Sequence, residues 1–302
     1  MTVMYNGVDI TEAIRVRHCN SIEVSEGIDS VELYCNNQVD TWDGWNPQQG
    51  DTLEVRTDGY TSGKMTIKRI APGKEAVALT ATAAGERKPE RYWAWESVEF
   101  GTVLGDIAAY NGYACSYYGT KSYRYPRMDG YGDGMALARQ LCEAEGYALK
   151  ITSGGIVVYN LADFMRAEPA AVFGEGDLIQ PSFSTTRAPG AVEVIGTGLD
   201  GEVIRAYADS GAGGGMVRHN LRVYDTAQAM RWARGTLLQE RKNADVGRFE
   251  TRLHTGVAAG NVIELDYGMN SGKWFVTRSI HRLADGTSIF DVRRCENTDD
   301  WI

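Results

Sequence analysis

Apolar and polar residues alternate in short runs along much of the chain, the period-two pattern of strands with one buried face. Over residues 1–85 the runs are Val3-Met4-Tyr5, Val8-Asp9-Ile10, Ser21-Ile22-Glu23-Val24, Ser30–Tyr34, Asp51–Arg56, Lys64–Lys68 and Val77–Thr80. Asn6-Gly7 between the first two predicts a tight hairpin, because both residues tolerate positive φ. Gly27, Asn36-Asn37, Asp58-Gly59 and Pro72-Gly73 punctuate the rest. Short strands at this spacing predict a small barrel or sandwich.

The period changes over 86–185. Apolar positions three and four apart predict a short helix over 102–112, with Thr102 as cap and Gly112 as stop. A second helix is predicted over Asp133–Glu145, with Leu137, Leu141 and Ala144 on its inward face and Gly146 ending it. A hairpin follows, 148–151 against 156–159. Over 186–302 strands return. Val192–Ile195 and Val203–Tyr207 predict a pair, and Ser210–Gly215 a flexible loop. Asp225 followed three later by Gln228 has capping-box spacing. The helix it opens should reach about Arg241, with Met230, Ala233, Leu237 and Leu238 inward. Strands at 248–253, 262–267, 273–283 and 287–295 close the chain. The fold class read from this order is α+β, mainly β, with β-rich segments at 1–85 and 186–302 flanking an α+β middle at 86–185.

Composition sharpens this. The chain has 35 glycines and 7 prolines in 302 residues. Glycine at about 12% against a usual ~7% suits turn-rich β structure. The formal charge of −9 disfavours sequence-specific or general nucleic-acid binding, which needs a basic face. No apolar run of about 18 residues exists to cross a membrane, and the first residues lack a signal-peptide pattern. Cys19, Cys35, Cys115, Cys142 and Cys295 are widely spaced, which points to reduced thiols rather than a disulfide or zinc framework.

Catalytic chemistry finds little support. The four histidines, His18, His219, His254 and His281, show no metal-ligand spacing. His254 and His281 read as surface strand residues. Gly59–Met65 resembles a P-loop but has its glycines one residue too close and Met65 where the hydroxyl belongs. Gly213–Gly215 opens no capped helix, as a phosphate nest would. Cys142 lies on the apolar side of its helix, and Glu143 and Glu145 point to different faces. Neither catalytic, cofactor nor metal residues are assigned. Two aromatic groups stand out: Trp42, Trp45, Tyr92, Trp93 and Trp95, then Tyr117, Tyr118, Tyr123, Tyr125 and Tyr131. Stacking on sugars or bases is one reading; strand packing and subunit contacts are the favoured one.

The order of segments carries more. Tyr5–Thr11 resembles a first strand and turn, and Ile28–Leu33 a small-residue-then-strand segment. Trp45–Val55 contains an aromatic, a turn, Gly50-Asp51 and a strand. Ser62–Ile67, Val103–Ala108, Met135–Tyr147 and Asp225–Arg241 follow in order. Together these resemble the phage tail-hub family: the late control gene D protein of P2-like phages, the central baseplate hub of T4-like phages, and the hub part of type VI secretion spike proteins. The resemblance implies two tube-like β-barrels flanking an α+β middle, as domains 1–85, 86–185 and 186–302. It implies a non-enzymatic homotrimeric ring adapting a hexameric tail tube to a trimeric spike in a contractile particle. Its partners would be itself, the tail tube protein, the spike protein, the tape measure and other baseplate proteins. It would be made in the bacterial cytoplasm and end in the virion tail or a tail-like particle. The acidic balance would suit a lumen along which DNA slides. Trp42, Trp45 and Trp301 are the candidate interface residues. No appended hydrolase or needle domain is expected. The alternatives are a tail-associated cell-wall hydrolase, with Cys142 or distant carboxylates as its chemistry, and a glycan-binding module on the aromatics.

Overall fold

A computed structural model describes residues 1–36, 46–73, 75–119, 123–198 and 200–296. The alternating runs of the first part become eight strands of a first lobe. Asn6 and Gly7 take φ of 47° and 83°, and the turn sets Met4 opposite Asp9. Asn6 also anchors the hairpin through its side chain, donating to Asp51 Oδ1 (3.0 Å) and accepting the Thr52 N–H (2.8 Å). From Val16–Val24 the sheet runs through Ser30–Asn36, Ala76–Thr82, Met65–Pro72, Thr52–Thr57, Thr2–Tyr5 and Val8–Asp9, with Tyr60–Thr61 paired to Thr52–Thr57. Every second side chain enters the lobe core: Val31, Leu33 and Cys35 face Val77, Leu79 and Ala81, with Val3, Leu53 and Ile67. Each buried valine, leucine or isoleucine here contributes about 1.5–3 kcal/mol by leaving water.

A second lobe continues the same 14-stranded sheet. Gly272–Arg282 pairs with Thr287–Arg294, which pairs with Asp245–Arg252, and that strand pairs with Ile179–Thr185. On its other edge Gly272–Arg282 has two neighbours. Its first half pairs with Val262–Asp266, and its second half pairs with Val16–Val24 of the first lobe. A register shift between Val276 and Arg278 separates the halves, and a bulge there bends the strand from one neighbour to the next. Phe173, Phe249, Trp274, Val276 and Phe290 fill this lobe. Strands Val172–Gly174 and Ile179–Thr185 thus sit in the second-lobe sheet although they precede residue 186.

The largest core belongs to the helices and the strands around them. The helices are α1 (Phe100–Tyr110), α2 (Met135–Glu145), α3 (Leu161–Met165) and α4 (Thr226–Arg241). A two-stranded antiparallel sheet, Arg91–Glu99 with Arg124–Gly132, packs on α1 and α2. The predicted hairpin is Tyr147–Thr152 with Gly155–Asn160; Cys115–Tyr118 adds to it in parallel, and Gly27–Ile28 of the first lobe joins its other edge. Ala191–Thr197, Val203–Asp209 and Met216–Asn220 form a three-stranded sheet whose inner face lies on α4.

The helix boundaries correct the sequence reading in places. α1 begins at Phe100, and Thr102 does not cap it. Phe100 is buried and its N–H bonds the Tyr123 carbonyl (2.8 Å), so packing sets the start. Gly146 ends α2 at φ 77° as expected. Leu137 and Ala144 are only half buried; the side chains α2 buries are Ala138, Leu141, Cys142 and Glu145. Asp225 caps α4 by accepting the Gln228 N–H (2.7 Å), while Gln228 Oε1 accepts the Tyr224 N–H. Met230 of α4, expected inward, is 43% exposed.

Candidate assembly surface

The two lobes meet along the strand pair Val16–Val24 and Gly272–Arg282. Ile22 faces Ile280 at its centre, with His281 opposite Ser21 and Ser279 opposite Glu23. Ile289 completes a small apolar knot. Around it runs a buried polar band. Tyr60 donates to Glu23 Oε1 (3.1 Å), and its hydroxyl oxygen lies 2.7 Å from Ser21 Oγ, which can donate to it. His281 is fully buried, with Nδ1 3.0 Å from Ser288 Oγ and its ring edge-on to Tyr60. Burial holds its pKa below the ordinary imidazole value. Ser288 Oγ also accepts the His254 N–H. Beside the band, Lys150 of the middle stands 3.3 Å from Asp29 and 3.7 Å from Glu23, both of the first lobe. Burial raises the Asp29 carboxyl to about 6, against the opposing pull of Lys150. Tyr159 ties in the same corner by donating to the Ser25 carbonyl (2.6 Å). The seam is therefore held by backbone pairing and an apolar knot, and beside it Lys150 ties the middle to the first lobe.

None of these seam residues stood out in the sequence reading. His254 and His281 were expected on the surface. His254 is instead half buried against Phe173, and His281 is sealed, because the seam covers both faces of its strand. The Ser288–His281 contact has the spacing of a nucleophile and base, but both are fully buried, so no substrate reaches the pair. Of the other histidines, His18 is exposed beside Asp285 (3.5 Å), and His219 lies 3.1 Å from Glu240.

The remaining candidates fall into packing. The Cys142 thiol is fully buried and pushed well above its ordinary value, so it holds its proton at neutral pH. Burial likewise raises Cys19 to about 12, and Cys35 and Cys295 to about 11. Glu145 turns inward, accepting from Tyr125 (2.6 Å), Trp232 (2.8 Å) and Arg231 (2.9 Å), while Glu143 lies on another face. Among the described residues no three His, Cys, Asp or Glu side chains converge as metal ligands. Gly59 and Gly63 serve a turn between strands, and Gly190 N–H bonds the Gly215 carbonyl across the glycine loop. Trp93 is buried, stacks on Trp95 at 5.3 Å and donates to the Gly132 carbonyl; Trp95 donates to Asp106. Tyr92, Tyr118 and Tyr131 remain exposed. Trp42, Trp45 and Trp301 lie outside the described residues.

No protein-family model matches the sequence, and no curated protein does. Solved structures match over nearly the whole chain. A tail protein from Neisseria meningitidis MC58 superposes with a TM-score of 0.74 at 11% identity, covering 99% of this chain and 98% of that one. The 43 kDa tail protein of prophage MuSo2 from Shewanella oneidensis gives 0.73 at 11% identity, covering 99% of each. The E. coli c3393 protein, described as a type VI secretion component similar to phage T4 tail proteins gp27 and gp5, gives 0.63 at 7% identity, covering 99% of this chain and 78% of that one. The fold is shared with these proteins at 7–11% sequence identity.

Proposed function

We propose that this chain is the structural hub subunit of a contractile phage tail baseplate or tail-like particle. Three copies form a ring that joins the hexameric tail tube to the trimeric spike, with tape measure and other baseplate proteins as further neighbours. The ring would be located in the virion tail or tail-like particle. The observation that carries this reading is the joining of two β lobes through one shared strand into a continuous sheet. Three copies then present six lobes, a match for sixfold symmetry on one side and threefold on the other. Tail proteins of the same fold over 98% and 99% of their length support it. Head-to-tail contacts close into a ring when the rotation between copies permits. Two residues on which the alternatives rested are taken up by packing: Cys142 is sealed, and Trp93 and Trp95 stack on each other.

The test is the solution mass by light scattering after size exclusion, followed by electron microscopy. Three times 33.2 kDa is 99.6 kDa. A species of that mass with ring-shaped particles is the expected result. A 33.2 kDa monomer that also forms no ring when mixed with its tube and spike proteins would overturn the reading.

A further inference from the structure

Helices α2 and α4 cross where Gly235 meets Ala144 and Gly146. A Cβ at Gly235 would stand 2.1 Å from the Ala144 carbonyl oxygen and 2.6 Å from the Gly146 nitrogen, so only glycine permits this approach. Beside the crossing a groove of about 490 Å³ opens between the two helices. Leu137, Leu141 and Ala144 of α2 and Trp232 of α4 line it. Leu137 and Ala144 belong to the apolar face that the sequence pattern turns inward, yet both remain half exposed here. The rim carries Glu143 from α2 and Glu240 from α4, with His219 beside Glu240. Glu143 forms no ion pair among the described residues.

We infer that this groove docks a basic amphipathic helix of another protein. An apolar stripe between two helices is the geometry that accepts a third helix through anchors spaced three and four apart. The two rim glutamates select lysine or arginine on the flanks of that helix by charge complementarity. A second copy of this chain offers no such segment among its described residues. α1 carries no basic residue, α3 has five residues, and the apolar positions of α2 and α4 are largely taken up by the chain's own core. The occupant is therefore a different protein. This assignment is independent of the ring, since the groove is complete within one chain.

The test uses the full chain and two fluorescein-labelled 15-residue helical peptides, one of leucine and lysine, the other of leucine and glutamate. Fluorescence anisotropy at physiological ionic strength reads binding. The Leu–Lys peptide should bind saturably and the Leu–Glu peptide should not. The double variant Glu143→Lys, Glu240→Lys should weaken the first by about tenfold or more and admit the second. Thr236→Trp, which fills the groove without changing its charge, should weaken the first peptide too. Absence of saturable binding to the unmodified chain overturns the inference. So does binding that survives either variant unchanged, because attraction to the overall acidic surface would then explain it.

Discussion

Glu145 shows how single residues knit this molecule together. Its carboxylate is wholly buried at the end of α2 and accepts from Tyr125, Trp232 and Arg231. Glu145→Ala would leave the buried Tyr125 hydroxyl and Trp232 N–H unpaired, while Arg231, partly exposed, can still reach water. The expected loss is about 2–4 kcal/mol in urea unfolding. At the seam two groups respond to pH in opposite directions. His281 titrates below 6.5 in the folded state, so the native chain binds fewer protons than the unfolded one and stability falls as pH drops through 6.5. Asp29 titrates at about 6 instead of 3.8, so the native chain binds more protons and stability rises as pH drops through 6. Asp29→Asn should therefore steepen the loss of stability on acidification, and His281→Phe should remove it. Urea midpoints at pH 7.5 and pH 5 check both signs. Neither residue was legible in the sequence. Their burial depends on strands that come together from opposite ends of the chain, and local alternation cannot report that.

Elements were read more readily than sites. The Asn6-Gly7 hairpin, the Gly146 stop and the Asp225 cap all follow from local chemistry, and each appears where the sequence placed it. Asp225→Ala should cost about 1 kcal/mol through loss of the cap on α4, read by thermal unfolding. The pairing of Arg91–Glu99 with Arg124–Gly132 is invisible to local pattern because α1 and Cys115–Tyr118 separate the two strands in sequence. Ile179–Thr185 alternates Ile179, Pro181 and Phe183 with polar residues, but Pro181 inside the run argues against a strand. The helix crossing was equally invisible: glycine within a helix normally weakens it relative to alanine by about 1 kcal/mol. Here the sign reverses. Gly235→Ala should destabilise by about 3 kcal/mol, because a methyl would collide with the backbone at Ala144 and Gly146. A stabilised variant in chemical unfolding would refute that crossing geometry.

For the whole molecule, the joined sheet makes the lobes one mechanical body. Moving one lobe against the other would break the backbone pairing of Arg278–Arg282 with Asn20–Val24. Amides in those segments should exchange with solvent only on global unfolding, and hydrogen exchange by mass spectrometry checks this. Exchange as fast as that of the glycine loop at 211–215 would show lobes that hinge. The mainly-β α+β class was legible in the order of segments, whereas the sharing of a strand between lobes came only from the structure.

That sharing also dictates when the molecule can be finished. Val16–Val24 leaves the ribosome long before the strand that covers its outer edge, since Ile22 pairs with Ile280. Throughout translation the nascent first lobe must carry an open strand edge, a template on which a neighbouring nascent chain can pair. Closure over so long a loop is slow. The interval between early lobe and late strand is therefore when misassembly competes with folding. Ribosomal pauses or chaperones acting in that window would govern yield more strongly than the stability of the finished fold.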